Sequence, residues 1–193
     1  VGLDETLEGE EGDTGNSDAS GDKKDLHLPK VQEELIEKVT AVGKPTVVVL
    51  MAGSAIDLNY AQENCNGILL AWYPGARGGK AVADLLFGKV SPSGKLPVTF
   101  YKDLEGMPEF TDYTMKGRTY RYMEKEPLYP FGYGLTYGNV EVTDGKLLNQ
   151  VTADSDIEVE VTVENKGKTA TEEVVQLYIK DLESPLAVRN HSL

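Results

Sequence analysis

Hydrophobic and polar residues follow two different patterns along the chain, and the pattern changes near residue 138. Before that point, short aliphatic runs at 46–51, 67–73 and 95–100 alternate with stretches of helical spacing. A continuous aliphatic run rich in β-branched residues is typical of a strand covered on both faces of a parallel sheet. The alternation therefore predicts an α/β domain over residues 1–112, with a mostly parallel sheet sandwiched by helices.

Three helices are predicted in this domain. Pro29 can begin a helix because its missing N–H has no partner in the first turn, and Gly43 can end it. A short helix is expected over 57–64, and a second amphipathic helix follows the Gly-rich turn at 74–79. In the first helix one stripe is apolar and is expected to face the core, and it consists of Val31, Leu35, Ile36, Val39 and Val42. By contrast, residues 1–3 are predicted to end a strand and residues 4–25 to form a loop, because acidic residues and glycines crowd that stretch.

Residues 139–193 have the character of an all-β segment. Residues 157–164 alternate aliphatic and polar side chains, and residues 173–179 are predicted to form the strand that returns beside them. This predicts a partial β-sandwich over 139–193. Between the two domains, residues 113–138 form a connecting segment rich in Tyr, Pro and Gly.

Composition excludes several functional classes. The net charge of −13 disfavours a nucleic-acid partner, because phosphate binding requires clustered Lys and Arg. No apolar run approaches the roughly 20 residues that cross a bilayer, so no membrane partner is expected. With Cys65 alone and only His27 and His191, a Cys-based or His-rich metal site is not expected.

The run at 3–13 carries six carboxylates, which are Asp4, Glu5, Glu8, Glu10, Glu11 and Asp13. One interpretation is a solvated acidic loop. The other is that crowding keeps a proton on one carboxyl, which then acts as a general acid. Calcium is not expected, because the run at 16–21 resembles an EF-hand loop whose twelfth position is His27 rather than Glu. A phosphate-binding loop at Gly79 and Lys80 also fails on spacing, so no cofactor is predicted.

Four ordered segments resemble glycoside hydrolase family 3. They are Ala-Trp-Tyr-Pro-Gly at 71–75 with the following 78–88, Ser-Pro-Ser-Gly-Lys-Leu-Pro-Val-Thr-Phe at 91–100, the stretches 120–122 and 127–137, and Glu-Val-Val-Gln-Leu-Tyr at 173–178. The resemblance implies an α/β/α sandwich followed by the start of a fibronectin type III-like domain. It also implies a retaining exo-acting β-glycosidase, with β-glucosidase the first expectation and β-xylosidase the second. The substrate would be a β-linked oligosaccharide or glycoside.

The same resemblance implies roles for acidic residues. In the family, the nucleophile is an Asp of a (β/α)8 barrel, a partner domain that is missing from this sequence. The acid/base is a Glu in the loop before the Leu-Pro that opens a helix, here Leu28 and Pro29. That places Glu10 at the acid/base position, with Glu8 and Glu11 as its rivals, and Asp13 as a sugar-binding residue. Thr14 departs from the family pattern, which has an Arg at this point.

Two other functional classes stay open at the level of sequence. A non-catalytic carbohydrate-binding or scaffold module would also carry a solvated acidic loop. A flavodoxin-like nucleotide binder would share the α/β pattern, although neither phosphate motif has the required spacing.

Overall fold

The computed structural model describes residues 1–8, 23–152, 154–183 and 191–193. These residues form two compact units. The first contains Val1–Val82, Leu96–Tyr133 and Tyr178–Leu193, and the second contains Ala83–Lys95 and Gly134–Leu177. Helix α1 spans Glu5–Glu8, α2 Lys30–Thr40, α3 Asn59–Asn64, α4 Gly78–Leu86 and α5 Thr119–Tyr122; the strands are β1 Val47–Leu50, β2 Gly67–Leu70, β3 Val140–Leu147 and β4 Val159–Asn165.

A parallel sheet forms the framework of the first unit. Strands β1 and β2 pair in parallel, with Val47 opposite Gly67 and Leu50 opposite Leu70. On the other side of β1, Gly2 forms a parallel bridge with Met51, so the chain start runs alongside the same strand. The predicted strands at 46–51 and 67–73 are confirmed in position and in parallel pairing. Residues 1–3, predicted to end a strand, make this one parallel bridge and do not form a regular strand.

The core of the first unit lies on one face of β1. Val48 and Leu50 are buried, whereas Val47 on the opposite face is 49% exposed. Leu50 packs in one cluster with Ile56 and Phe100, the largest side chains that are fully buried. The expectation that β1 is covered on both faces is therefore wrong within the described residues, because only its alternate side chains reach the core.

Helix α2 forms where it was predicted, but its apolar stripe does not face the core. Only Ile36 is buried, while Val31 is 72% and Val42 68% exposed. The helix ends at Thr40, and Gly43 follows shortly afterwards with a φ of +70°, a conformation that costs glycine little. The helix is also attached to the chain start, because Gln32 accepts from the Gly2 N–H at 2.7 Å and donates to the Gly2 carbonyl at 2.9 Å.

Two local predictions in this unit were wrong. The loop expected over 4–25 contains the single-turn helix α1 among its described residues. The strand expected over 95–100 is absent as a regular strand, and only Phe100 forms a bridge, with Tyr129. Leu96 instead exchanges backbone hydrogen bonds with the 132–133 turn. Pro97 lacks the N–H that a continued ladder would need.

The second unit is built on an antiparallel pair. Strand β3 pairs with β4, with Val140 opposite Asn165 and Leu147 opposite Val159. The strand predicted at 173–179 is not formed over 173–178, and only Ile179, which belongs to the first unit, makes a bridge. Within the second unit Lys95 pairs with Glu173 at 2.7 Å, and both side chains are largely shielded from solvent. The described chain is therefore α/β with one small parallel and one small antiparallel sheet.

Candidate functional site

Three chain segments leave the parallel sheet of the first unit at the same edge. Residues 1–3 lead into α1, β1 leads into the turn at 51–55, and β2 leads into residues 71–73. In open α/β sheets the carboxyl ends of parallel strands are where ligand-binding and catalytic residues concentrate. This edge of the sheet, where the strands have their carboxyl ends, is called the carboxyl edge. It is the candidate functional site, and it includes Glu8.

The Glu8 carboxylate accepts hydrogen bonds from three groups at this edge. The Gly53 N–H donates to Glu8 Oε2 at 2.7 Å, and the Tyr73 hydroxyl donates to the same oxygen. The Ser54 hydroxyl donates to Oε1. We call Glu8, Gly53, Ser54 and Tyr73 the Glu8 cluster. It joins all three segments, because α1, the turn after β1 and the residues after β2 each contribute to it.

Local backbone geometry makes these contacts possible. A Cβ on Gly53 would lie 2.9 Å from Tyr73 Cε2, so a larger residue would push the phenol away. Trp72, next to Tyr73, has a φ of +52°. A bulky residue in the left-handed region costs free energy, and such strain is often kept at functional sites. The half-buried Trp72 therefore marks a constrained turn that directs Tyr73 toward Glu8.

Hydrogen bonding keeps the Glu8 carboxylate charged. Burial raises its pKa, but the hydrogen bonds from Ser54, Tyr73 and Gly53 and the charge of Lys23 together lower the pKa below its ordinary value of 4.5. Burial and the adjacent Glu8 carboxylate raise the pKa of the Tyr73 phenol to about 12. The pair therefore stays as phenol donor and carboxylate acceptor across the neutral pH range.

Lys23, the residue that follows 9–22 in the sequence, contacts the same turn. Its Nζ donates to the Ala55 carbonyl at 2.7 Å. The pKa of the Lys23 ammonium is lowered, because the effect of burial exceeds the opposite effect of the Glu8 and Asp25 charges. Glu8 and Lys23 are thus fastened within three consecutive residues, Gly53 to Ala55.

The Glu8 pKa shift predicts a pH dependence of stability. Because the folded-state pKa lies below the unfolded value of 4.5, Glu8 stabilises the fold above about pH 4.5 and loses that contribution as pH falls through the folded-state pKa. Glu8→Gln keeps the shape but does not titrate. We expect the melting temperature of the wild type minus that of Glu8→Gln to shrink as pH falls from about 6 to about 3. A difference that stays constant over this range would contradict the lowered pKa.

Of the predicted site residues, Glu8 is described and lies at the carboxyl edge. Glu10, Glu11 and Asp13 lie outside the described residues. Sequence reasoning missed Gly53, Ser54 and Tyr73 as partners of Glu8, although it predicted both strands that precede them. The rule that parallel strands place their carboxyl ends together could have indicated these residues.

A separate cleft of about 280 Å³ lies in the first unit between residues 27–28, α2 and residues 57–61. His27 Nδ1 is 3.1 Å from Glu33 Oε1 and 3.8 Å from Asp57 Oδ2.

Among the described residues, no group of three or more His, Cys, Asp or Glu is arranged to hold a metal ion. The EF-hand-like run at 16–21 lies outside them. In the same described part of the chain, no helix has the length and apolar character needed to cross a bilayer.

Comparison with known proteins identifies the family to which this α/β domain and its acidic edge belong. Residues 1–137 match the family model described as the glycosyl hydrolase family 3 C-terminal domain. The chain therefore belongs to glycosyl hydrolase family 3, and the resemblance found in the sequence is confirmed.

Individual relatives support this assignment. The chain is 45% identical over 185 residues to a xylan 1,4-β-xylosidase of Xylanibacter ruminicola, covering 95% of this chain and 21% of the relative. It is 34% identical over 186 residues to a periplasmic β-glucosidase of Salmonella typhimurium, covering 90% of this chain and 24% of the relative. A solved β-glucosidase from Erythrobacter marinus superposes with a TM-score of 0.81 at 38% identity, over 100% of this chain and 26% of that one. The chain thus spans about a fifth to a quarter of the length of these relatives.

Proposed function

We propose that this chain is part of a retaining, exo-acting β-glycosidase. Glu10 acts as its general acid and base, and an Asp of a (β/α)8 barrel outside this sequence acts as nucleophile. Family membership supports the reaction class. The relatives are four to five times longer than the chain, as their 21–26% coverage shows, which leaves ample length for such a barrel.

The observation that carries the proposal is that the Glu8 carboxylate accepts hydrogen bonds from three donors. Three donors hold its carboxylate as an anion, whereas a general acid has to carry a proton at the start of the reaction. Glu8 therefore suits an anchor better than a proton donor. Two residues further along, covalent geometry keeps the Cα of Glu10 within roughly 7 Å of the Cα of Glu8. Of the two glutamates, we assign the acid/base role to Glu10.

The reaction then has two balanced steps. In the first, the barrel Asp attacks the anomeric carbon while Glu10 gives its proton to the departing glycosidic oxygen, which leaves as an alcohol. In the second, the Glu10 carboxylate takes a proton from water as the water oxygen attacks the glycosyl-enzyme ester. The sugar leaves with its original β configuration, and both carboxyl groups return to their starting states.

The terminal sugar is a β-D-xylosyl or β-D-glucosyl unit. The family resemblance placed β-glucosidase first, but a relative named as a β-xylosidase is 45% identical, against 34% for one named as a β-glucosidase. Both sugars therefore have to be assayed. Asp13, three residues after Glu10, is proposed to bind a hydroxyl group of the sugar.

The second unit is proposed to begin a fibronectin type III-like sandwich. Its antiparallel pair β3 and β4 presents alternating side chains, and Val142 and Val163 face each other in the register. Both are about half exposed within the described residues, so their apolar area is available for a second sheet. The predicted boundaries, 1–112, 113–138 and 139–193, stay a prediction.

The direct test is hydrolysis by the full-length protein that carries this chain. We expect it to release the phenol from aryl β-D-xylosides or β-D-glucosides with retention of configuration. Proton NMR of the first-formed sugar measures that configuration. The 193 residues alone should be inactive, because they lack the nucleophile. An inactive full-length protein that still binds oligosaccharides would favour the non-catalytic module. Turnover by the isolated 193 residues would contradict the assignment of the nucleophile.

A further inference from the structure

Both flanks of residues 9–22 are attached to one short turn. On the amino-terminal side, Glu8 accepts from the Gly53 N–H and the Ser54 hydroxyl. On the carboxyl-terminal side, Lys23 donates to the carbonyl of Ala55. Fourteen residues of chain therefore leave and return at three consecutive positions after β1.

We infer that Glu8 and Lys23 are positioning residues for the acid/base, which they hold by attaching both flanks of its segment to residues 53–55. This inference rests on the proposed function, since Glu10 is the residue to be positioned. Neither Glu8 nor Lys23 is assigned contact with the sugar.

The rate of proton transfer depends steeply on the distance between donor and acceptor. A general acid works only when it lies within hydrogen-bond reach of the leaving oxygen, and a misplacement of about 1 Å can cost on the order of 100-fold in rate. A carboxyl on a segment fixed at one end only would sample many positions. Two attachments next to a rigid strand end reduce that freedom before substrate binds.

The Glu8 cluster also allows a conservative test. In Glu8→Gln, the amide oxygen can accept from Gly53 and Tyr73, as Oε2 does, and the NH₂ group can donate to the Ser54 oxygen. The attachment is then preserved without a titratable proton. In Glu8→Ala all three contacts are lost.

The experiment measures kcat, KM and the pH–rate profile of Glu8→Ala and Glu8→Gln in the full-length enzyme, with an aryl β-glycoside that the wild type hydrolyses. We expect Glu8→Ala to lower kcat by about 10- to 100-fold with KM little changed. Glu8→Gln should recover most of the lost rate and keep both limbs of the profile. Glu63, exposed on α3 within the described residues, provides the control Glu63→Ala, which should match the wild type.

Three outcomes would overturn the inference. If Glu8→Gln is as slow as Glu8→Ala and loses the alkaline limb of its profile, Glu8 itself carries the proton. The same conclusion follows if azide restores Glu8→Ala, since azide replaces a missing base. If both variants have wild-type kcat per folded molecule and lower only the melting temperature, the Glu8 cluster is merely structural.

The second attachment is tested by removing the Lys23 ammonium. Lys23→Met keeps the aliphatic stem but cannot donate to Ala55, and we expect kcat to fall several-fold in the same direction as in Glu8→Ala. Lys44→Met is the matched control, because Lys44 is exposed and precedes β1 at the opposite end of the strand. A Lys23→Met enzyme with wild-type kcat would remove Lys23 from the inference. If the wild-type full-length protein hydrolyses no β-glycoside, the proposed function itself fails, a result distinct from those above.

Discussion

Glu10→Ala in the full-length enzyme is expected to lower kcat on an aryl β-glycoside by about 10²- to 10⁴-fold, the contribution typical of a positioned acid/base. The loss should depend on the leaving group. A phenol that is already acidic departs without much help from a proton, so its glycosylation step is spared, whereas the attack of water still lacks a base. The glycosyl-enzyme should therefore accumulate, seen as a rapid burst of phenol release followed by slow turnover.

Added azide gives the second readout of this variant. Azide attacks the accumulated glycosyl-enzyme without needing a base, and it fits the space left by the missing carboxyl group. We expect it to raise turnover of Glu10→Ala and to yield a β-glycosyl azide. Glu11→Ala is the neighbouring control, and it should show neither the burst nor the azide effect. If instead Glu11→Ala shows the burst and the azide effect and Glu10→Ala resembles the wild type, the proton belongs to Glu11.

Local patterns predicted most of the first unit. The aliphatic runs that became β1 and β2 and the helical spacing of α2 and α4 depend on residues close in sequence, and each element formed within a few residues of its expected bounds. Pro29 and Gly43 marked the ends of α2 for the same reason. The direction of pairing also followed, because helices between successive strands require a crossover and hence a parallel sheet.

Contacts between residues that are distant in sequence could not be predicted from spacing along the chain alone. The three donors to Glu8 come from positions 53, 54 and 73, and no spacing in the sequence joins them to position 8. The strand expected at 173–179 failed similarly: its aliphatic residues are suitable for a strand, but β4 pairs with β3, which precedes it in the sequence. The apolar stripe of α2 is a third example. Amphipathic spacing predicts a helix correctly, but it does not predict which face of the helix is covered.

The Glu8 cluster holds one carboxylate of the acidic run as an anion. Three donors and the charge of Lys23 keep the pKa of Glu8 below its ordinary value, so Glu8 stays negatively charged near neutral pH. A general acid must instead hold a proton at the start of the reaction, which distinguishes Glu8 from the acid/base that we propose, Glu10.

Phe100→Ala is expected to produce the largest loss of stability in the described chain, roughly 3 to 5 kcal/mol. Phe100 is 1% exposed and packs in the same cluster as Leu50, the last residue of β1. Truncation removes its edge contact with Tyr129 and leaves a cavity behind the strand end that holds Gly53 and Ser54. For a unit of this size, about 2 to 4 °C is lost per kcal/mol, so the calorimetric transition of the full-length protein that contains this domain should fall by roughly 6 to 20 °C.

Phe110→Ala provides the matched control, because Phe110 is 83% exposed and its truncation should change stability by no more than about 0.5 kcal/mol. Equal melting temperatures for the two variants would contradict the core described for the first unit. Well below its lowered transition, Phe100→Ala should keep a kcat per folded molecule close to that of the wild type, because the core supports the turn at 53–55 without touching substrate. Glu10→Ala should show the reverse, an unchanged melting temperature with a lost rate, and that opposition separates the residue that performs the chemistry from those that hold its framework.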